Sequence, residues 1–96
     1  MTTQTHQQTT AECMALIQKL GAHHARQIIN SVVVFGIDPD EMEDMIRGRV
    51  RGFLTLMLEK GADPNDAETA AHKFYASIVK EGGRLAREMS WEAGHA

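Results

Sequence analysis

A six-residue device occurs twice in this chain, and it constrains the fold more than any other feature. Gly36-Ile37-Asp38-Pro39-Asp40-Glu41 returns 25 residues later as Gly61-Ala62-Asp63-Pro64-Asn65-Asp66. Each copy reads as a helix stop followed by a helix start. Glycine takes the left-handed conformation that closes a helix. The aspartate accepts a hydrogen bond from an orphan N–H of the next first turn. Proline suits the first helical position, where no N–H is needed. Carboxylates crowd behind both prolines: Asp40, Glu41, Glu43 and Asp44 in one case, Asp66 and Glu68 in the other. There they favour the positive end of the helix dipole by a few tenths of a kcal/mol each. Two junctions predict three long helices in antiparallel succession, about 10–35, 39–60 and 64–90.

Apolar spacing supports each rod. Cys13, Ile17, Leu20, Ile28, Val32 and Phe35 recur at steps of three, four or their multiples, the period of an amphipathic helix. Thr9 and Glu12 form a capping box ahead of that stripe. Gly21 interrupts it, at a cost of roughly 1 kcal/mol relative to Ala. The run Ser31-Val32-Val33-Val34-Phe35 is β-branched and apolar nearly all round. No second strand-like run exists to pair with it, so a helix end buried on several sides is expected. The second helix carries a wide apolar arc through Met42, Met45, Ile46, Val50, Phe53, Leu54, Met57 and Leu58. The third has a narrower stripe, Ala67, Ala71, Phe74, Ile78, Leu85 and Met89, with Gly82-Gly83 in its middle. A kink or a close backbone approach is expected at that pair.

The expected organisation is a flexible tail at 1–8, a single helical domain at 9–92 and a second flexible tail at 93–96. A chain of 96 residues buries only about 60–65% of its unfolded surface, so its core is thin. Aromatic residues make up 5%, which puts the weight of that core on Ile, Leu, Val, Met and Ala. The lone cysteine, Cys13, excludes an intrachain disulfide. With a polar Thr/Gln-rich start and no long apolar run, a cytoplasmic location is expected.

The stretch Leu56–Asn65 resembles the helix end and turn of an ankyrin repeat, and Thr69 and His72 echo the start of the next repeat. The spacing departs from that family. Only three residues separate Asn65 from Thr69, Ala70-Ala71 stands where Pro-Leu belongs, and the internal period is 25 residues rather than about 33. The resemblance is one of helix-capping chemistry.

No reaction chemistry assembles along the chain. His23 and His24 are adjacent and point about 100° apart on a helix. Glu68 and His72 share a face at i, i+4 but lack a second pair. Asp38-x-Asp40 starts like a calcium loop, yet no glycine follows at the sixth position and Arg49 replaces the bidentate Glu. Cys13 lies on the apolar stripe and is expected to pack as a small hydrophobe. No catalytic residue, cofactor or metal ligand is assigned, and no enzyme activity is expected.

Three features resist a purely structural explanation. His24 lies on the apolar side of the first helix, where it is either a satisfied core polar group or a partner-contacting, pH-sensitive residue. Arg49 projects from the apolar arc of the second helix and must snorkel, pair with a carboxylate such as Glu81, or face a partner. Gly48, Gly52 and Thr55 line the opposite side as a small-residue groove for close helix packing. With apolar residues on one side and this groove on the other, the second helix is expected to be central.

The expectation is an all-α bundle completed by homodimerisation. It acts as a non-enzymatic protein–protein interaction module, a regulator, adaptor or inhibitor of bacterial or phage type. An anti-CRISPR-like inhibitor of a nucleic-acid-processing complex is one form of that reading. Candidate partner-binding residues are Asp38, Asp40, Glu41, Glu43, Asp44, Arg47, Arg49 and Arg51. Candidate dimer or packing residues are Gly48, Gly52, Thr55, Val32 and Phe35, with His24 as a functional core polar group. Two alternatives remain: a nucleic-acid-binding transcriptional regulator using Arg47/Arg51 and Arg84/Arg87, and a metal-binding helical protein or enzyme subunit. The net charge of −3 argues against generic nucleic-acid binding, and no membrane partner is expected.

Overall fold

The computed structural model describes the backbone of residues 2–95 and the side chains of residues 11–89. Three helices account for nearly all of it: α1 (Thr2–Phe35), α2 (Pro39–Glu59) and α3 (Pro64–His95). No strand occurs among the described residues. Both repeated devices work as helix junctions. Gly36 has φ 65° and donates its N–H to the Val32 carbonyl at 2.9 Å. Asp38 Oδ1 accepts from the Glu41 N–H at 2.9 Å, and Pro39 opens α2. At the second junction Gly61 has φ 91°. There the Gly61 N–H reaches the Leu58 carbonyl and the Ala62 N–H reaches the Met57 carbonyl, each at 3.0 Å, which is the Schellman pattern.

The first helix is longer than its capping signal suggests. α1 runs through Thr9, so the Thr9–Glu12 box is not its start. The side chains of the expected tails, 1–8 and 93–96, lie outside the described residues. At its other end, the run Val32–Phe35 is helical but not buried on several sides: Phe35 is 76% exposed and Val33 and Val34 are also open. α3 passes unbroken through Gly82–Gly83.

The core is small. Ala25 and Ile28 of α1, Ile46 of α2, and Ala67, Ala71, Phe74 and Ile78 of α3 are buried. Four of the seven come from α3, which packs on both other helices while α1 and α2 barely meet. The central helix is therefore α3, not α2. The physical reason lies in side-chain size. Ala71 lies beside Val50 and Leu54 of α2, and Phe74 stacks on Phe53 with ring centroids 4.6 Å apart.

On the other side of α3 the fit is tighter. Gly21 is buried, and a Cβ there would lie 2.5 Å from Ser77 Cβ and 3.3 Å from the Ile78 nitrogen. The two backbones come together because Gly21 has no side chain. Gly21 meets Ser77, while Ala25 and Ile28 lie beside Ile78 and Gly82, so α1 and α3 run parallel. α2 runs against both.

The result is a flat, elongated body of 55 × 25 × 15 Å with a radius of gyration of 15.9 Å. A compact chain of this length has a radius near 12.5 Å. The elongation follows from the lengths of α1 and α3, 34 and 32 residues, or about 50 Å of helix each. Accessible surface totals 7127 Å², against about 5,500 Å² for a compact monomer of this mass. The three helices form an elongated bundle around one small shared core. None of the described helices is long and apolar enough to cross a membrane.

Candidate functional site

The two polar residues that stand out in the sequence meet each other. Arg49 of α2 points across to α1, where Nη1 donates to His24 Nδ1 at 2.7 Å and to Gln27 Oε1 at 2.6 Å. An arginine only donates, so His24 accepts at Nδ1 and its ring is neutral with the proton on Nε2. Gln27 passes the chain on: its amide nitrogen lies 3.1 Å from His23 Nε2. Phe74 supports the cluster from below, its ring meeting the His24 ring edge-on at 5.2 Å. The His24 pKa is held below its ordinary value of 6.5, first by burial, then by the Arg49 charge and by His23.

Arg49 therefore pairs internally, but not with Glu81. That carboxylate is taken by Arg84, whose guanidinium also reaches Glu88 on the same helix. Among the described residues no carboxylate lies within ion-pair distance of Arg49. The bridge from Arg49 to His24 and Gln27 joins α1 and α2 beside the core cluster that Ala25 and Ile28 share with Ile46. Sequence reasoning singled out both ends of the bridge, but not their pairing. They lie on separate helices, and no spacing rule links them.

The acidic start of α2 divides by role. Asp38 is the N-cap. Glu43 Oε1 accepts from Tyr75 Oη at 3.3 Å and from Arg47 Nε at 3.1 Å, tying α2 to α3. Asp40, Glu41 and Asp44 are exposed and form no ion pair among the described residues. Arg47 is engaged by Glu43, and Arg51 is exposed. Gly48, Gly52 and Thr55 are exposed too, and a Cβ at either glycine would meet nothing within 4 Å. The small-residue groove is thus uncovered. Val32 is half-buried, whereas Phe35 stands out from the end of α1.

Cys13 is exposed rather than packed. Glu68 and His72 are exposed on α3, and no group of three metal-ligating side chains forms among the described residues. An apolar cleft of about 290 Å³ opens where the three helices converge, lined by Ile28, Ile29, Ile46, Ile78, Val79 and Gly82 among others. Gly82 and Gly83 line it and leave it wide: a Cβ at Gly82 would touch nothing within 4 Å. The glycine pair thus marks neither a kink nor a close backbone approach.

These features define a class by architecture alone: a three-helix, all-α bundle. Beyond that, no protein-family model matches the chain, and no curated protein or solved structure matches it either.

Proposed function

We propose that this protein is a non-enzymatic docking module, a regulator, adaptor or inhibitor that presents a helical face to another protein. One observation carries the reading. The elongated bundle exposes 7127 Å² of surface, more than the roughly 5,500 Å² of a compact monomer of this mass. Part of the excess is apolar: Leu16, Leu56, Val33, Val34 and Phe35 are open to water. Contiguous apolar patches on soluble proteins mark interaction sites.

Two observations weigh on the other readings. Arg47 and Arg84 are occupied by Glu43, Glu81 and Glu88, which disfavours a phosphate-binding row built on them. Self-association is the second form of the docking reading, favoured by the apolar tip of α1 and the nearby cleft lying on one molecule. Sedimentation equilibrium distinguishes the forms: a dimer at micromolar concentration supports a second copy as the occupant.

The docking reading is tested by capture from the native host with three baits: the full chain, a Leu16→Ser/Leu56→Ser variant and a Val33→Ser/Phe35→Ser variant. All four side chains are exposed, so both variants are expected to fold. A partner lost with one variant and kept with the other supports docking through a defined face. Equal capture by all three baits contradicts it.

A further inference from the structure

Arg49 is a half-buried cation in neutral company. Nη1 serves His24 and Gln27. Its Nε and Nη2 make no hydrogen bond among the described residues. A guanidinium presents a planar fork that fits a carboxylate through two parallel bonds, and such pairs are among the strongest in proteins. Here half of that fork is unused.

The surroundings of Arg49 are apolar on one side. Leu16, Leu20, His24 and Gln27 fall at i, i+4, i+8 and i+11 and share one stripe of α1. Arg49, Gly52 and Leu56 share one stripe of α2. The Arg49–His24 bond sets the two stripes side by side. Because α1 and α2 run in opposite directions, Leu56 lies toward the Leu16–Leu20 end. These leucines are 65%, 38% and 53% exposed for Leu16, Leu20 and Leu56. The seam is thus an apolar shelf with a cation beside it. At Gly52 open space allows a second backbone to come close.

We propose that the seam between α1 and α2 receives an amphipathic helix of a partner protein, with apolar side chains against Leu16, Leu20 and Leu56 and an Asp or Glu carboxylate on the Arg49 guanidinium. This rests on the docking reading and gives the partner its chemistry. A fourth helix in this place covers the exposed leucines of the seam. Charge argues against a second copy there. In a two-fold dimer built along this seam, a residue at its middle lies near the axis and faces its own copy. Arg49 would face Arg49, and like charges brought together across an interface oppose association.

The test uses three synthetic helical peptides of about 20 residues with one leucine stripe and Glu, Gln or Lys at its centre. Each is titrated into the full-length, 15N-labelled protein and into its Arg49→Met variant. The Glu peptide is expected to shift the amides of Leu16, Leu20, Gln27, Arg49 and Leu56 and to bind at least about tenfold tighter than the Lys peptide. In Arg49→Met, with an unchanged circular dichroism spectrum, that preference is expected to vanish. Equal binding of the Glu and Lys peptides at the seam overturns the inference. So do concentration-dependent shifts of the same amides without peptide, which would assign the seam to a second copy. Shifts confined to the Ile29–Val79 cleft remove this inference and leave docking standing. Binding to no face removes both.

Discussion

α1 meets its two neighbours in opposite ways. Against α3 it makes a contact so close that only hydrogen fits at Gly21, with Ala25 and Ile28 sealed behind it. Against α2 its packing is looser: Ala25 and Ile28 share a core cluster with Ile46, and a polar bridge from Arg49 adds to that contact. The first contact is what packing energy looks like in a small helical protein. Removing a side chain brings backbones together and gains dispersion along both helices. The second is held by hydrogen bonds with water nearby, whose net worth is about 0.5–1.5 kcal/mol each. The α1–α3 side is therefore the more closely packed of the two, while the α1–α2 side leaves Leu16, Leu20 and Leu56 exposed.

The comparison can be broken from several directions. Phe74 belongs to both sides, touching His24 at 5.2 Å and Phe53 at 4.6 Å. Phe74→Ala is expected to cost about 3–5 kcal/mol in urea unfolding and to weaken all three helices together. Loss restricted to α2 would place Phe74 on one side alone.

Gly21→Ala comes next. The added Cβ overlaps Ser77 Cβ, which is fixed to the α3 backbone, so a loss of about 1–3 kcal/mol is expected. Gly48→Ala is its control and has the opposite sign. It meets nothing within 4 Å and relieves the backbone entropy of an exposed helical glycine, a gain of about 0.5–1 kcal/mol. If both substitutions stabilise, the tight contact is not there.

The smallest effect is a pH dependence. His24 has its folded pKa lowered from 6.5, so the unfolded chain binds more protons over the window just below that value. Stability contributed by the neutral ring is fully present above pH 6.5 and is lost as pH falls through the lowered folded value. Urea midpoints at pH 7.5 and 5.5 are expected to differ more for the native chain than for His24→Gln. Equal differences would show that the bridge does not depend on a neutral His24.

How much of this the sequence reveals depends on whether the cause is local. The two Gly-x-Asp-Pro junctions are legible because capping is decided within six residues, and both helix boundaries follow from them. The arc of α2 misleads, because a wide apolar face reads equally as a helix covered twice and as a helix left partly bare. Leu56 and Leu58 are exposed. What makes α3 central is the smallness of Ala67 and Ala71 beside the bulk of Phe74, a complementarity with surfaces on other helices. Gly21 reads as a weakness in one helix and becomes a strength only once Ser77 is opposite it. His24 and Arg49 are each recognisable as misplaced polar groups, but their partnership is a fact of tertiary structure.

The chain forms an elongated three-helix bundle whose α1–α2 seam leaves Leu16, Leu20 and Leu56 exposed. Small-angle X-ray scattering tests it most directly, on full-length protein at a concentration where sedimentation gives the monomer mass of 10.6 kDa. An elongated particle is expected, with a radius of gyration near 15.9 Å and a longest dimension near 55 Å. A radius near 12.5 Å, that of a compact globule of this length, would contradict the elongated three-helix arrangement.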